Sequence, residues 1–245
     1  TIVQRAQAAN AVPVFWLASE DHDFAEADHL TLPSRHALHT LRLHLDPAPQ
    51  GLPVGGLRLG PGIQTVLERA AEMIGGTPEF DLLSACYTPE TTFASAFARF
   101  MAAAFADFGL IVIDASTRAF HALGAPVLRH ALEHADDLES ALHDRDKQLA
   151  ERGYHSQVLV APGSSLLFLL DEATGARTPL RRRDGSWLAG KAQVSTADLL
   201  AILDAAPERL SPNALLRPVF QDFLLPTLAT IGGPAEIAYF AQSQV

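Results

Sequence analysis

The sequence predicts an α/β fold, a core built on a parallel sheet with a small β-rich insertion. Three observations carry this. Residues 11 to 18, Ala-Val-Pro-Val-Phe-Trp-Leu-Ala, form an unbroken apolar run, the pattern of a strand covered by helices on both faces. A second such run, Leu110-Ile111-Val112-Ile113-Asp114, follows a stretch of helical periodicity, and strand, helix, strand alternation implies parallel pairing through right-handed crossovers. Beyond Ser156, short apolar runs separated by Thr174-Gly175 and Asp184-Gly185 read instead as antiparallel hairpins. The expected division is a core over 1–155, the β-rich insertion over 156–194, and a return to the core over 195–245.

The elements follow in order. Thr1 falls inside what reads as the last turns of a helix that Asn10 ends, so the chain is expected to be a processed piece of a longer one. Pro13 fits only near the start of the first strand. Leu41 to Leu45 alternate with Arg42 and His44, the period of a half-exposed strand. Ile63, Val66, Leu67, Ala70 and Ile74 recur at helical spacing up to Gly75-Gly76, which ends that helix.

Thr88 as cap and Pro89 at the first helical position introduce a second helix, whose apolar face is Phe93, Phe97, Phe100, Ala104, Phe105 and Phe108. Gly109 ends it. Residues 119 to 152 read as helix, and Ser156 to Ala161 and Leu166 to Asp171 as strands. The basic run Arg181-Arg182-Arg183 lies between the two tight turns. Thr196 is placed to cap a helix through Leu199, Leu200 and Leu203, and Gly232-Gly233 precede a terminal helix.

Composition excludes several classes of function. The chain has 245 residues, 48% hydrophobic and 19% charged, so it can bury a core without staples and is not a disordered tract. A net charge of −10 argues against binding driven by nucleic-acid phosphates. Cys86 is alone, which fits a reducing cytoplasm and leaves a buried small hydrophobe rather than a nucleophile. The apolar runs are too short to span a bilayer, and Thr1 to Arg5 lack the layout of a secretory signal. No phosphate-loop lysine motif and no Gly-x-Ser-x-Gly elbow occurs.

Two polar clusters stand out. Glu20, Asp21, His22 and Asp23, then Glu26, Asp28 and His29, follow a buried strand, where ligands collect in open α/β sheets. If residues 24 to 30 are helical, His22 and His29 share a face. The plain alternative is that Asp21 or Asp23 caps that helix. The spacing matches neither the two-His helical zinc motif nor a calcium loop, so no metal is expected. The second cluster is Asn213, Arg217, Gln221, Asp222, Gly232, Gly233, Glu236 and Tyr239. An Arg fork suits a carboxylate, and a Gly-Gly-Pro helix start offers anion-binding amides, with an ordinary turn and a buried ion pair as the alternative. Asp114, Ser116, Thr117 and Arg118 also follow a strand.

These residues carry a resemblance. Pro13-Val14-Phe15-Trp16-Leu17-Ala18-Ser19-Glu20-Asp21-His22-Asp23 with His29, then Leu216 to Asp222, Leu225-Pro226-Thr227 and Gly232 to Phe240, resemble in the same order the family that adds cysteine in bacillithiol synthesis. Members are about twice as long, with a Gly-Gln-Gln motif upstream and a coiled coil downstream.

The resemblance implies a Rossmann-like core with inserted subdomains, similar in layout to class I aminoacyl-tRNA synthetases and nucleotidylyltransferases. It implies joining of cysteine, through its carboxyl group, to the amine of glucosaminyl malate in the cytoplasm, with ATP/ADP as the nucleotide. It also implies a monomeric fragment whose parent dimerises through the coiled coil, with no nucleic-acid or membrane partner.

Carried over to this sequence, His22 with Asp21, Asp23 and Glu20 is expected to serve catalysis. His29, Arg217, Gln221, Asp222, Glu236 and Tyr239 are expected to bind substrate, and Gly232 and Gly233 the cofactor. Nucleotidyl transfer to another amine acceptor, or a non-catalytic substrate-binding role, stays open.

Overall fold

The structure is a computed structural model that describes residues 11–34 and 36–243. The helix end expected at Thr1–Asn10 lies outside the described residues. The chain forms two compact units, one through Ala115 and one from Ser116.

In the first unit, β1 (Val14–Leu17) and β4 (Ile111–Asp114) pair in parallel, with Leu17 opposite Asp114. The expected burial on both faces holds only at the carboxyl end: Leu17 is buried, while Val14 and Ile111 are exposed. One turn of helix, α1 (Phe24–Ala27), leads into an antiparallel hairpin of β2 (His29–Pro33) and β3 (Leu38–Arg42). The helix expected over 24–30 therefore stops at Ala27. The alternating Leu30, Thr31 and Leu32 pair across the hairpin instead, and a bond between the Thr31 and Thr40 hydroxyls ties the strands. The strand read at Leu41–Leu45 lies three residues earlier, and Leu41 is its buried anchor.

Three helices follow, α2 (Gly62–Ile74), α3 (Pro78–Cys86) and α4 (Phe93–Ala104). Ile63 of α2 and Ala96 of α4 meet Leu43 and Leu59 in one core cluster. The cap of α4 is Thr92, in a capping box with Ser95, and not Thr88. Thr88 to Thr91 are held in a turn: Leu59 and Gly60 donate to the Thr91 and Pro89 carbonyls, so the backbone cannot turn helical there. Phe93 and Phe97 pack on Phe24 and Phe15 as core residues. The aromatic stripe then leaves the core, because the chain tightens into a 3₁₀ turn over Ala106–Phe108 and leaves Phe108 70% exposed.

The second unit begins with α5 (Arg118–Glu133) and α6 (Ala135–Glu151), which break at His134. A five-stranded antiparallel sheet takes β5 (Ser164–Leu170), β6 (Arg177–Arg183), β7 (Ser186–Ala189), β8 (Ala192–Val194) and β9 (Leu210–Pro212) in the order β8-β7-β6-β5-β9. Asp184 and Gly185 both have positive φ at the β6–β7 turn, as a two-residue hairpin requires. The sheet draws its last strand from beyond residue 194, and contacts divide the chain at Ala115 rather than at 155.

Helix α7 (Thr196–Ala205) is capped by Ser195 with Asp198, while Thr196 accepts the Trp187 indole N–H instead. Helix α8 (Arg217–Leu224) starts where Pro218 allows, and α9 (Pro234–Ser243) follows Gly232-Gly233.

Ser156 to Ala161 are not a strand. Their amides find a side chain rather than a ladder: the buried Gln242 accepts from the Gln157 and Val158 amides at 2.9 and 2.8 Å. Its own amide group donates to Asp146 and to the Val158 carbonyl. Gln242→Leu is expected to lower the unfolding free energy by about 1–3 kcal/mol, read as a lower urea midpoint, because the two amides lose their acceptor; an unchanged midpoint would mean that water replaces it.

Candidate functional site

The first polar cluster leaves the carboxyl end of β1. Ser19 is buried and donates its hydroxyl to Asp114 Oδ1 at the end of β4. The chain then turns. The Asp21 amide donates to the Ala18 carbonyl, and the Asp21 carboxylate accepts the amides of His22 at 2.6 Å and Asp23 at 3.2 Å, the usual use of Asp in a turn. From outside, the Val54 and Gly55 amides donate to the carbonyls of Asp21 and Ser19 at 2.7 and 2.9 Å.

Asp21 is thus committed to local backbone, whereas Asp23, at the N-cap position of α1, makes no side-chain capping bond. His22 is half-buried, and its Nδ1 stands 3.8 Å from Asp21 Oδ1, close enough for charge to act but too long for a hydrogen bond. Glu20 is half-buried beside it in sequence.

His29 does not share a helix face with His22, because it opens β2. Its Nδ1 lies 2.8 Å from Asp28 Oδ1, and Arg42 reaches both Asp28 oxygens from β3, where it pairs in register with His29. Burial of Asp28 opposes its ionisation, but the bonds and charges of His29 and Arg42 outweigh this and hold the carboxyl below its ordinary value of 3.8. A carboxyl depressed in the folded state adds stability above its unfolded value, and that stability is lost as pH falls through the folded one. The difference in stability between wild type and Arg42→Met is therefore expected to be full above about pH 5 and to shrink below about pH 4. Unfolding curves across that range measure it, and a constant difference would remove the coupling.

The second cluster lies in the other unit. Glu236 and Tyr239, three residues apart on α9, share a face, and Arg217 opens α8. The guanidinium donates to Glu236 Oε1 at 2.8 Å and to the Tyr239 hydroxyl, which itself donates to Glu236 at 3.1 Å. The second Glu236 oxygen accepts the Gly233 amide at 3.2 Å. Burial opposes the charge on Glu236, but the Gly233 amide, Tyr239 and Arg217 hold its carboxyl below the usual range. Burial pushes the Tyr239 hydroxyl up, only partly offset by Arg217.

The chain's own carboxylate therefore fills the place at the start of α9 where Gly232 and Gly233 were expected to meet an anion. Asn213 accepts the amides of Leu215 and Leu216 ahead of α8. On that helix Gln221, half-buried, lies one turn beyond Arg217, and Asp222 is exposed. Arg118 is not a crevice residue: it joins Glu208 and the Ala205 carbonyl.

Cys86 is buried, and burial together with Cys86 pushes the neighbouring Tyr87 hydroxyl up to about 12. Among the described residues, no group of three or more His, Cys, Asp or Glu side chains is placed to hold a metal ion, and no helix is long and apolar enough to cross a membrane. Sequence reasoning misses Arg42 and Gly55. Alternation with the buried Leu41 and Leu43 marks Arg42 only as outward, and nothing local tells Gly55 from Gly56.

Parallel strands joined through helices, with polar residues at their carboxyl ends, define a Rossmann-like α/β domain. The family described as "Bacillithiol biosynthesis BshC, N-terminal Rossmann-like domain" matches residues 2–244. The chain belongs to that family. It is 43% identical over 241 residues to a protein of Koribacter versatilis named "Putative cysteine ligase BshC", covering 98% of this chain and 45% of that one. Like-named proteins of Solibacter usitatus and Salinibacter ruber are 43% and 36% identical, covering 96% and 94% of this chain and 44% and 43% of theirs. The chain thus spans under half the length of these relatives.

Proposed function

We propose that this chain is the Rossmann-like part of a ligase that joins the carboxyl group of cysteine to the amine of glucosaminyl malate, the last step of bacillithiol synthesis. The observation that carries the reading is the half-buried His22 on a fixed turn at the end of β1, in a chain matched along almost its whole length by relatives named as cysteine ligases.

Amide formation releases a proton from the attacking amine. An imidazole is the side-chain base suited to accept it, and the Asp21 carboxylate stands 3.8 Å from His22 Nδ1. Glu20 and Asp23 flank His22 in the same turn and add negative charge that attracts an amine. Arg217, with Glu236 and Tyr239, is the proposed contact for a substrate carboxylate; a ligand there competes with Glu236 for the guanidinium. His29 in the first unit, and Gln221 and Asp222 in the second, are further proposed substrate contacts, each within its own unit.

Joining a carboxyl group to an amine needs activation, for which ATP is the proposed co-substrate. Gly232-Gly233 do not fit its phosphates, because the Gly233 amide already serves Glu236. The reading also includes a cytoplasmic setting and dimerisation through a coiled coil outside these residues.

The test is cysteine addition to glucosaminyl malate, followed by mass spectrometry, with the full-length protein and with this chain separately. Product from the full-length protein supports the reading, and no product with any nucleotide overturns it. A second reading, binding without turnover by this chain alone, is favoured by its covering only 45% of the Koribacter relative. It predicts substrate binding to the chain by calorimetry with no product.

A further inference from the structure

We propose that Ser19, Asp114 and Gly55 are positioning residues that lock the Glu20–Asp23 turn, and through it His22; the catalytic part of this proposal rests on the reading of His22 above. Ser19 lies two residues beyond the last pair of the parallel ladder, Leu17 with Asp114. Strands begin to part there, and the Ser19–Asp114 bond ties them at the point where the functional turn departs. The bond belongs to no helix and no ladder. It places a carboxylate against the hydroxyl of a residue that is only 6% exposed, a costly arrangement compared with apolar packing and one that fixes geometry rather than adding stability.

Gly55 closes the turn from the other side. A Cβ there would stand 2.4 Å from Ser19 Cβ and 2.7 Å from the Ser19 carbonyl oxygen, so only glycine lets the 54–56 turn approach closely enough for the Gly55 amide to reach that carbonyl at 2.9 Å. The Val54 amide fixes the Asp21 carbonyl in the same way at 2.7 Å. Residues 19 and 21 are thereby docked on Val54 and Gly55, and Glu20 and His22 alternate with them. None of the three locking residues needs to touch substrate for this.

The experiment compares Ser19→Ala, Gly55→Ala and Asp114→Asn in the full-length protein. Ser19→Ala removes the donor. Gly55→Ala pushes on the same point without altering a polar group. Asp114→Asn keeps an accepting oxygen. Small displacements of a reacting group cost up to about a hundredfold in rate, so the first two are expected to lower kcat by about tenfold to a hundredfold with KM changed less than about twofold. Asp114→Asn is expected to stay within about threefold of wild type. A folded Ser19→Ala protein with kcat within about twofold of wild type overturns the proposal.

If the unsubstituted protein adds no cysteine, the functional reading fails on its own. The lock is then judged in this chain by amide resonances: Ser19→Ala must move those of residues 20–23 and 54–55, and unmoved resonances overturn it. That spectrum also decides the case in which Gly55→Ala does not fold.

Discussion

His22→Ala in the full-length protein is expected to lower kcat by about 10²- to 10⁴-fold, the usual cost of losing a general base, with little change in the unfolding midpoint. The imidazole lies just beyond the carboxyl end of β1 with its side chain 37% exposed, so its removal costs little burial. The turn itself is held by backbone and by the Asp21 carboxylate, neither of which the substitution alters. His22→Gln separates proton transfer from simple hydrogen bonding, since an amide donates and accepts but does not titrate. Near-normal turnover in a folded His22→Ala protein would remove the residue from the chemistry and direct attention to Glu20 and Asp23.

The second large effect is on stability. Phe220 of α8 is 1% exposed and packs against α5, where Gly124 leaves room for it: a Cβ at 124 would stand 2.0 Å from Phe220 Cε2. Phe220→Ala is expected to cost about 3–5 kcal/mol, from lost burial and the cavity beside His121 and Gly124. Gly124→Ala overfills the same space and is expected to cost about 1–3 kcal/mol, although alanine is by itself the better helix former. The double variant Gly124→Ala with Phe220→Leu is expected to recover part of that loss, because the smaller side chain vacates the space that the new methyl group occupies. Denaturant unfolding of the wild type, Gly124→Ala, Phe220→Leu and the double variant gives the coupling, and strict additivity would show that the two residues do not share the space.

The fold was legible where one physical signal dominates. The apolar run over 11–18 and the run ending at Asp114 contain the two parallel strands, and Ile63 to Ile74 is the helix that its periodicity describes. Legibility failed where a local pattern was overruled by a distant partner. Thr88-Pro89 looks like a helix start until residues 59 and 60 bind its carbonyls, and Ser156–Ala161 looks like a strand until Gln242 takes its amides. Helix α3 carries apolar residues all round and so has no one-sided stripe to read, and β9 is too short to show alternation.

For the candidate site, residue type and position after a strand were enough to single out Glu20–Asp23, and Arg217, Glu236 and Tyr239 were singled out as one polar cluster amid apolar residues. The partners were not legible. That Arg217 answers Glu236, that Arg42 answers Asp28, and that Ser19 answers Asp114 depends on how elements far apart in sequence are folded together.

The order β8-β7-β6-β5-β9 also decides how this sheet meets other chains in a crowded cell. A sheet with open edges is a template for aggregation, and here both ends of the described sheet are poor templates. At one end β8 is three residues long, and at the other β9 is equally short and finishes in Pro212, which has no N–H to offer. Cutting the chain after Val194 would strip β9 from β5 and bare the edge of a seven-residue strand, Ser-Ser-Leu-Leu-Phe-Leu-Leu, that carries no charge and no proline. Three residues that arrive late in the sequence thus act as a seal, and a version of the β-rich segment shortened to its hairpins would recruit copies of itself in place of the missing strand.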